Sequence, residues 1–495
     1  MKGHPIRELE REMAQGYRLE QVVADLVDNS IDAGANQIQI AFAEEEYIGK
    51  QSHYLIVSDD GKGIAEDALS SIMDFGATRV YDELDLGKFG VGLKSSSLSQ
   101  AQEITVLSKV ENEPVHLRRL SASIVREEDA WVLLSELRPE MKTSAIDVAY
   151  AMLNDRPHGT VVVLEDMHKL DLQVGHQSSK KEYLNDEHRI IREYLSMVFE
   201  QYLSGVTLLK KDGSKINRQI SISYNGPYDI LTPLDPFLRE LQDGTHKGTL
   251  SHTVGVEVDH NGTTHKIPVV VWILPYRTDQ PQGYQDRITN AARGISIREL
   301  QGIYFYRNAR LVDFPGWRKL LKLDEHISVL RWEVHFPPSL DDMMQLDPSK
   351  REIQVPRQML EGLSKIASAK RRWHPTDEKA VNHRKRARER NDGKDNKRTL
   401  ATPPSGQQTS STSGGITTQS TFNPTGSNPP QPKAKPKKRA APQAAKKVRI
   451  KSLHGTPAGN LVVLQSQEGD ELVVTLNTNH AMYQQFIEKI RSFEP

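Results

Sequence analysis

ADLVDNSIDAGA, residues 24–35, closes a segment whose apolar positions decide how the first third of the chain is read. From Tyr17 to Ala33, the residues Leu19, Val22, Val23, Leu26, Val27 and Ile31 recur at the i, i+3, i+4, i+7 spacing of one buried helix face. Asp25, Asn29 and Asp32 stand four and three residues apart on the opposite side, so one helical turn presents a carboxylate and a carboxamide to the same volume. Oxygen ligands so placed suit Mg²⁺, which keeps most of its waters and takes one or two protein oxygens beside substrate phosphates. An adjacent carboxylate can orient an attacking water. The same pattern also describes a solvated polar face of a surface helix.

Next along the chain, Tyr54-Leu55-Ile56-Val57 reads as a buried strand running into Ser58-Asp59-Asp60-Gly61-Lys62-Gly63-Ile64, with a helix beyond it carrying Leu69, Ile72 and Met73 on one side. Asp59 at the strand end can accept a hydrogen bond from an exocyclic amine, and Gly61 and Gly63 let a base approach the backbone with no Cβ in the way. An ordinary tight turn has the same composition. A third element, GKFGVGLKSSSLS (87–99), follows a charged stretch, 79–85, that suits a mobile lid. It fails the Walker spacing, because Leu93 stands where the lysine belongs and no strand feeds the loop. Its free backbone N–H groups and a helix start at about Leu93 still make a phosphate cradle, to which Lys94 can add a point charge.

Taken in order, ADLVDNSIDAGA, SDDGKGI (58–64), GKFGVGLKSSSLS and HGTVVVLEDM (158–167) resemble the four motifs of the GHKL superfamily, which includes gyrase B, the ninety-kilodalton heat-shock chaperone, histidine kinases and MutL. The third is most similar to that of MORC ATPases. The resemblance covers about residues 15–170 and implies an α+β fold: a Bergerat-type α/β sandwich that binds ATP and Mg²⁺. It further implies that Asn29 holds the metal, Asp59 reads the adenine amine, Gly63 backs the base and Thr160 supports Asp59. Gly87, Gly90, Val91, Gly92 and Leu93 wrap the phosphates in that scheme. Hydrolysing members carry glutamate where Asp25 stands. A side chain one methylene shorter displaces the attacking water, and about an ångström of misplacement can cost roughly a hundredfold, so slow hydrolysis is expected.

Downstream, QLDPSKRE (345–352) resembles the loop by which the second domain of MutL and MORC proteins delivers a lysine to the γ-phosphate, which nominates Lys350. A surface lysine after a proline turn reads the same way. Residues 233–237 and 302–317 also look like second-domain features of bacterial MORC-like proteins, with no mechanism attached. The expected organisation is an ATP-binding domain over 1–175, a transducer-like domain over 176–372, a disordered basic linker over 373–446 and a small C-terminal module over 447–495. In that module 448–450, 460–464 and 471–476 read as strands and 480–493 as a helix.

Composition bounds the rest. With 495 residues, 37% of them hydrophobic, the chain can build more than one core. It has no cysteine, which excludes disulfides, thiolate metal sites and cysteine nucleophiles. Lys plus Arg equals Asp plus Glu at 65 each, yet basic residues concentrate in 379–398 and 433–451. Flexible cationic arms of this kind give salt-dependent affinity for nucleic acid, and equally make a solubilising linker. No aromatic residue interleaves them, so base stacking is not expected. The first seventeen residues lack the apolar core of a signal peptide, and the longest apolar run, 267–274, is too short to span a bilayer, so a cytoplasmic protein without a membrane partner is expected. The reading that unites these features is an ATP-gated, dimerising switch with DNA as client. Its alternatives are a chaperone with protein clients and a nucleotide sensor without turnover.

Overall fold

The computed structural model describes residues 4–47, 49–71, 83–87, 92–154, 156–175, 179–210, 212–242, 249–275, 279–324, 327–345 and 353–368, with the backbone of 447–453, 462–468 and 471–477. In chain order the first part runs α1 (Pro5–Met13), α2 (Leu19–Asp32), β1 (Gln37–Tyr47), β2 (Lys50–Asp59), α3 (Glu66–Ser71), α4 (Gly92–Leu98), β3 (Glu103–Lys109), β4 (His116–Ser121), α5 (Ala122–Glu128), β5 (Leu133–Leu134), α6 (Ser144–Asn154) and β6 (Gly159–Glu165). It continues through α7 (His168–Gly175), α8 (Lys180–Val198), α9 (Glu200–Ser204), the ribbon β7 (Val206–Leu209) and β8 (Lys215–Arg218), and β9 (Ser221–Tyr224).

Among the described residues, seven of these strands form one sheet in the order β5-β4-β3-β6-β2-β1-β9, antiparallel except for the β1–β9 edge. Strand β2 is covered on both faces: Leu55 and Val57 join the core beneath α2, while Ile56 joins the core beneath α6. Burial on two sides is why 54–57 reads as a continuous apolar run with no polar alternation. The apolar stripe of α2 behaves as its spacing predicts, with Leu19, Val22, Val23, Leu26, Val27 and Ile31 each at most 6% exposed. Residues 180–231, expected to open the second domain, contribute Ile191, Leu195, Ile222 and Leu231 to this first core, and β9 to its sheet.

A second sheet follows, built from β10 (Leu250–His260), β11 (Thr263–Ile273), β12 (Gly302–Arg307), β13 (Arg310–Asp313) and β14 (Leu330–Phe336) in the order β10-β11-β14-β12-β13. Helix α10 (Tyr284–Ala291) precedes β12, and α11 (Arg357–Ser368) ends this part. Val256, Val269, Phe305 and Trp332 pack with Met359, Leu363 and Ile366 of α11; Trp272, Tyr304 and Tyr306 pack with Tyr284 and Ile288 of α10. The segment 233–237 belongs to the α10 side. Asp235 accepts from the amides of Phe237 and Arg239, Phe237 stacks on Trp272, and Arg239 bridges Glu200 and Glu333. In 302–317, Gly302 lets two backbones meet, since a Cβ there would lie 2.2 Å from the Gly316 nitrogen.

The C-terminal unit is described by its backbone alone. Strands β15 (Lys447–Leu453), β16 (Val462–Glu468) and β17 (Glu471–Asn477) form a sheet with β17 central, parallel to β15 and antiparallel to β16. Strand β16 starts two residues later than 460–464 and runs further, because pairing with β17 carries through the polar residues 465–468, which offer no apolar alternation to read. The basic linker and the terminal helix lie outside the described residues. Among the described residues, no helix is long and apolar enough to cross a membrane.

Candidate nucleotide site

Along α2, residues 22–28, Ser30 and Ile31 are buried and Asn29 is exposed. This corrects the expectation that Asp25, Asn29 and Asp32 share one open polar side: Asp25 is 4% exposed and Asp28 1%. The cover comes from elements far along the chain. Helix α8 packs on α2, Arg293 forks onto Glu20 and Glu187, and Arg310 donates to Asp28 at 2.9 Å. Burial opposes the Arg310 charge, but Asp28, Tyr194 and Asp25 outweigh it, so the guanidinium stays charged. A helix side that would be solvated in isolation is thereby buried with its counter-charge supplied.

Asp59 ends β2 with 6% of its surface exposed. One carboxylate oxygen accepts from the Gly61 amide at 2.9 Å and the other from the Ser30 hydroxyl at 3.0 Å. Burial pushes its pKa up, while the Gly61, Ser30 and Thr160 donors pull it back. Thr160 lies directly across from Asp59 in the β2–β6 ladder and serves it through its amide, while its hydroxyl meets Ser108 at 3.0 Å. A carboxylate has about four acceptor positions, so three donors leave room for one more, and an exocyclic amine fits that place.

The two glycines of the strand-end turn are required for a reason other than the one the sequence suggests. At Gly63, where φ is +73°, a Cβ would lie 2.0 Å from the Lys109 carbonyl oxygen; at Gly61 it would lie 2.7 Å from the Ala33 Cβ. Both close approaches are to the chain itself. Ser108, at the end of β3, ties the turn down by accepting from the Ile64 amide and donating to the Gly159 carbonyl, and His158 Nδ1 meets the Gly61 carbonyl at 2.7 Å.

The head of the glycine loop is held by Asp32, whose two oxygens accept from the Leu86 amide at 2.7 Å and the Gly87 amide at 2.8 Å. Burial raises the Asp32 pKa to about 7 despite these donors, with Asp85 and Asp28 adding to the rise. Gly90, Val91 and Lys350 lie outside the described residues. Gly92 begins α4, Leu93 is half-buried against the first core, and Lys94 is fully buried in a helix that packs on α1 and α2. Of the residues nominated from the sequence, the structure places Asp59, Gly61, Gly63 and Thr160 at one end of the β2–β6 pair, with Asn29 next to the Ser30 that bonds Asp59. It misses Ser30, Ser108, His158, Asp28 and Arg310. Ser30 and His158 sit inside the quoted motifs, so their hydrogen-bonding side chains were available as a signal; Ser108 and Arg310 had none. Among the described residues, no group of three or more His, Asp or Glu could hold a metal by itself, so a hard cation here would rest on the Asn29 oxygen together with phosphate oxygens.

Residues 17–160 match the family model described as histidine kinase-, DNA gyrase B-, and HSP90-like ATPase. The chain is 30% identical to the DNA mismatch repair protein MutL of Dictyoglomus turgidum over 132 residues, which is 25% of this chain and 22% of that protein. It is 34% identical to the human ATPase MORC2 over 92 residues, 18% of this chain and 9% of the relative. The chain therefore spans well under a third of the length of these relatives. A solved structure described as the N-terminal domain of a DNA repair protein aligns with 71% of this chain and 93% of its own, at 16% identity and a TM-score of 0.36.

Proposed function

We propose, from the match of residues 17–160 to the histidine kinase-, DNA gyrase B- and HSP90-like ATPase family, that the chain is a Mg²⁺-dependent ATP-binding switch with slow hydrolysis. The observation that carries the reading is Asp59, a buried carboxylate oriented by Ser30, Gly61 and Thr160 with acceptor capacity to spare. In this reading Asp59 takes the adenine amine, the exposed Asn29 offers its oxygen to the metal, and the loop from Gly87 to Gly92, with Leu93, wraps the phosphates while Asp32 holds the Gly87 amide. Lys94 and Lys350 are the proposed cations of the phosphate end. When bound, Mg²⁺ supplies charge neutralisation at the phosphate oxygens.

Asp25 is proposed to orient the attacking water. Its burial favours a second reading, a sensor that binds ATP and turns it over hardly at all, because a 4% exposed carboxylate meets little solvent. Single-turnover hydrolysis by wild type, Asp25→Ala and Asp25→Glu separates the two. A rate lost in Asp25→Ala and raised in Asp25→Glu supports catalysis; all three at the uncatalysed background make the chain a sensor, and three equal rates above background remove Asp25 from the reaction.

The relatives named for DNA mismatch repair motivate a DNA client, and the basic stretches 379–398 and 433–451 supply a counterion-releasing contact. DNA mobility shifts that weaken with salt and vanish on deletion of 379–451 support this; retention after deletion refutes it. Nucleotide-gated self-association is proposed on the same footing, and sedimentation with a non-hydrolysable ATP analogue against ADP tests it.

A further inference from the structure

Four residues of the second sheet enter the territory of the nucleotide site. The β12–β13 turn pairs Arg307 with Arg310 across two residues, Asn308 and Ala309, with φ of 47° and 64°. Asparagine tolerates that left-handed conformation; alanine does so at a cost in strain, because its Cβ crowds the following carbonyl. Glycine is the usual occupant of the second place in such a turn. Here the alanine methyl is used: Ala309 is 5% exposed and belongs to the first core. The tip is further pinned by the Tyr202 hydroxyl, which donates to the Asn308 carbonyl at 2.8 Å.

Around this tip the polar contacts run to two places. Arg307, forked onto Asp341, donates its remaining Nη1 to the Asp85 carbonyl at 2.7 Å, and Asn308 Nδ2 donates to the Glu83 carbonyl at 3.1 Å. Those carbonyls stand immediately ahead of Leu86 and Gly87, whose amides Asp32 holds. On the other side Arg310, 3% exposed, donates to Asp28, the residue before Asn29. One turn therefore grips the head of the glycine loop from one side, while α2 grips it from the other.

We propose that the turn from Arg307 to Arg310 supplies positioning residues for the nucleotide site, fixing the glycine-loop head and the Asn29 turn of α2 in one register and moving with them when nucleotide binds. This rests on the nucleotide reading above. None of the four residues touches the nucleotide; Arg310 acts through Asp28, and Arg307 and Asn308 act through the carbonyls of Asp85 and Glu83. The consequence is that the second sheet is coupled to occupancy through described contacts, independently of any lysine delivered to the phosphate.

Hydrogen exchange on the full chain tests it, with two variants. Asn308→Gly suits the left-handed turn and deletes one contact, so the fold is retained; Arg310→Lys keeps the charge and loses the guanidinium Nε donor to Asp28. Without nucleotide, Asn308→Gly is expected to speed exchange at 84–87 by about 2- to 12-fold, the range for one neutral hydrogen bond. A non-hydrolysable ATP analogue with Mg²⁺ is expected to slow exchange at 303–312 in wild type, and to do so less in both variants at saturating analogue. Unchanged exchange at 84–87 in Asn308→Gly overturns the anchoring. Tight analogue binding that leaves 303–312 unchanged overturns the coupling. Failure of wild type to bind any analogue overturns the nucleotide reading and the coupling with it, while the nucleotide-free comparison still decides whether the turn anchors the loop.

Discussion

Replacing Asp59 by asparagine tests the site at the side chain on which the proposed adenine specificity depends. The carboxylate presents acceptors only, and the structure surrounds it with donors: the Ser30 hydroxyl, the Gly61 amide and the Thr160 amide. Asparagine turns one acceptor into an NH₂ that must face either Ser30 or Gly61, so one donor loses its partner. Ser30 already donates a second, longer contact to the Leu26 carbonyl at 3.2 Å and can reorient to that oxygen, which limits the loss. Leaving one buried polar group short costs about 1–3 kcal/mol. Removing a carboxylate whose ionisation burial already disfavours returns part of that. A net loss of no more than about 2 kcal/mol follows, a fall of up to roughly 8 °C in melting temperature for a domain of this size.

Ligand affinity is expected to fall further than stability. An amine donating to an ionised acceptor contributes about 1.5–3 kcal/mol, so calorimetry should show ATP binding weakened by roughly 10- to 140-fold. Inosine triphosphate, which carries an oxygen in place of the amine, supplies the control that mere destabilisation does not mimic. Wild type should prefer ATP by a comparable factor, and Asp59→Asn, which can donate to that oxygen, should lose the preference. Equal affinity of wild type for the two nucleotides, or unaltered ATP affinity in a folded Asp59→Asn, removes Asp59 from the role argued here.

Gly63→Ala should destabilise by more than about 2 kcal/mol, because the left-handed φ alone costs about 1–2 kcal/mol and the new Cβ would lie 2.0 Å from the Lys109 carbonyl oxygen; an unchanged denaturant midpoint contradicts this. Arg119→Met leaves Glu103 and Glu165 buried without the guanidinium that each meets, at 3.1 and 2.6 Å; breaking a buried pair this way costs about 3–5 kcal/mol, and a loss below 1 kcal/mol in urea denaturation would count against it. Asp32→Asn should flatten the pH dependence of stability. The native pKa of about 7 exceeds the ordinary 3.8, so between those values the native state binds more protons than the unfolded one, and stability falls as pH rises through that window. The wild-type minus variant difference should therefore decline from pH 4 to 7 and level off above; a difference that rises with pH refutes the assignment.

The parts of the fold that were legible are those fixed by short-range periodicity. The α2 stripe and the β2 run each specify which side chains go inward, and both are buried as their spacing requires. Of the candidate site, Asp59 was legible as a carboxylate at a strand end beside two glycines, while Thr160 came only through the family resemblance; pairing of β2 with β6 sets the two opposite one another. The reason for Gly61 and Gly63 was not readable. A missing Cβ announces a close approach, but the approaching atoms, Ala33 and the Lys109 carbonyl, come from elsewhere in the chain.

The failure on the polar side of α2 has the same root and a larger consequence. Helical period places Asp25, Asp28 and Asp32 off the apolar stripe, and from one helix that is all the period can say. Whether such a side is wet depends on a second layer, and here that layer arrives 282 residues later as Arg310. Had the side been solvated, Asp28 would be a surface charge of little energetic weight. Buried against a counter-charge from another sheet, it becomes a position where loss of either partner leaves a stranded ion, which costs about 3–5 kcal/mol. The residue beside Asn29 thus belongs as much to the packing of the second sheet as to the site. On the proposed nucleotide reading, a change at Asn29 is therefore expected to be felt at Arg310, and a change at Arg310 at Asn29.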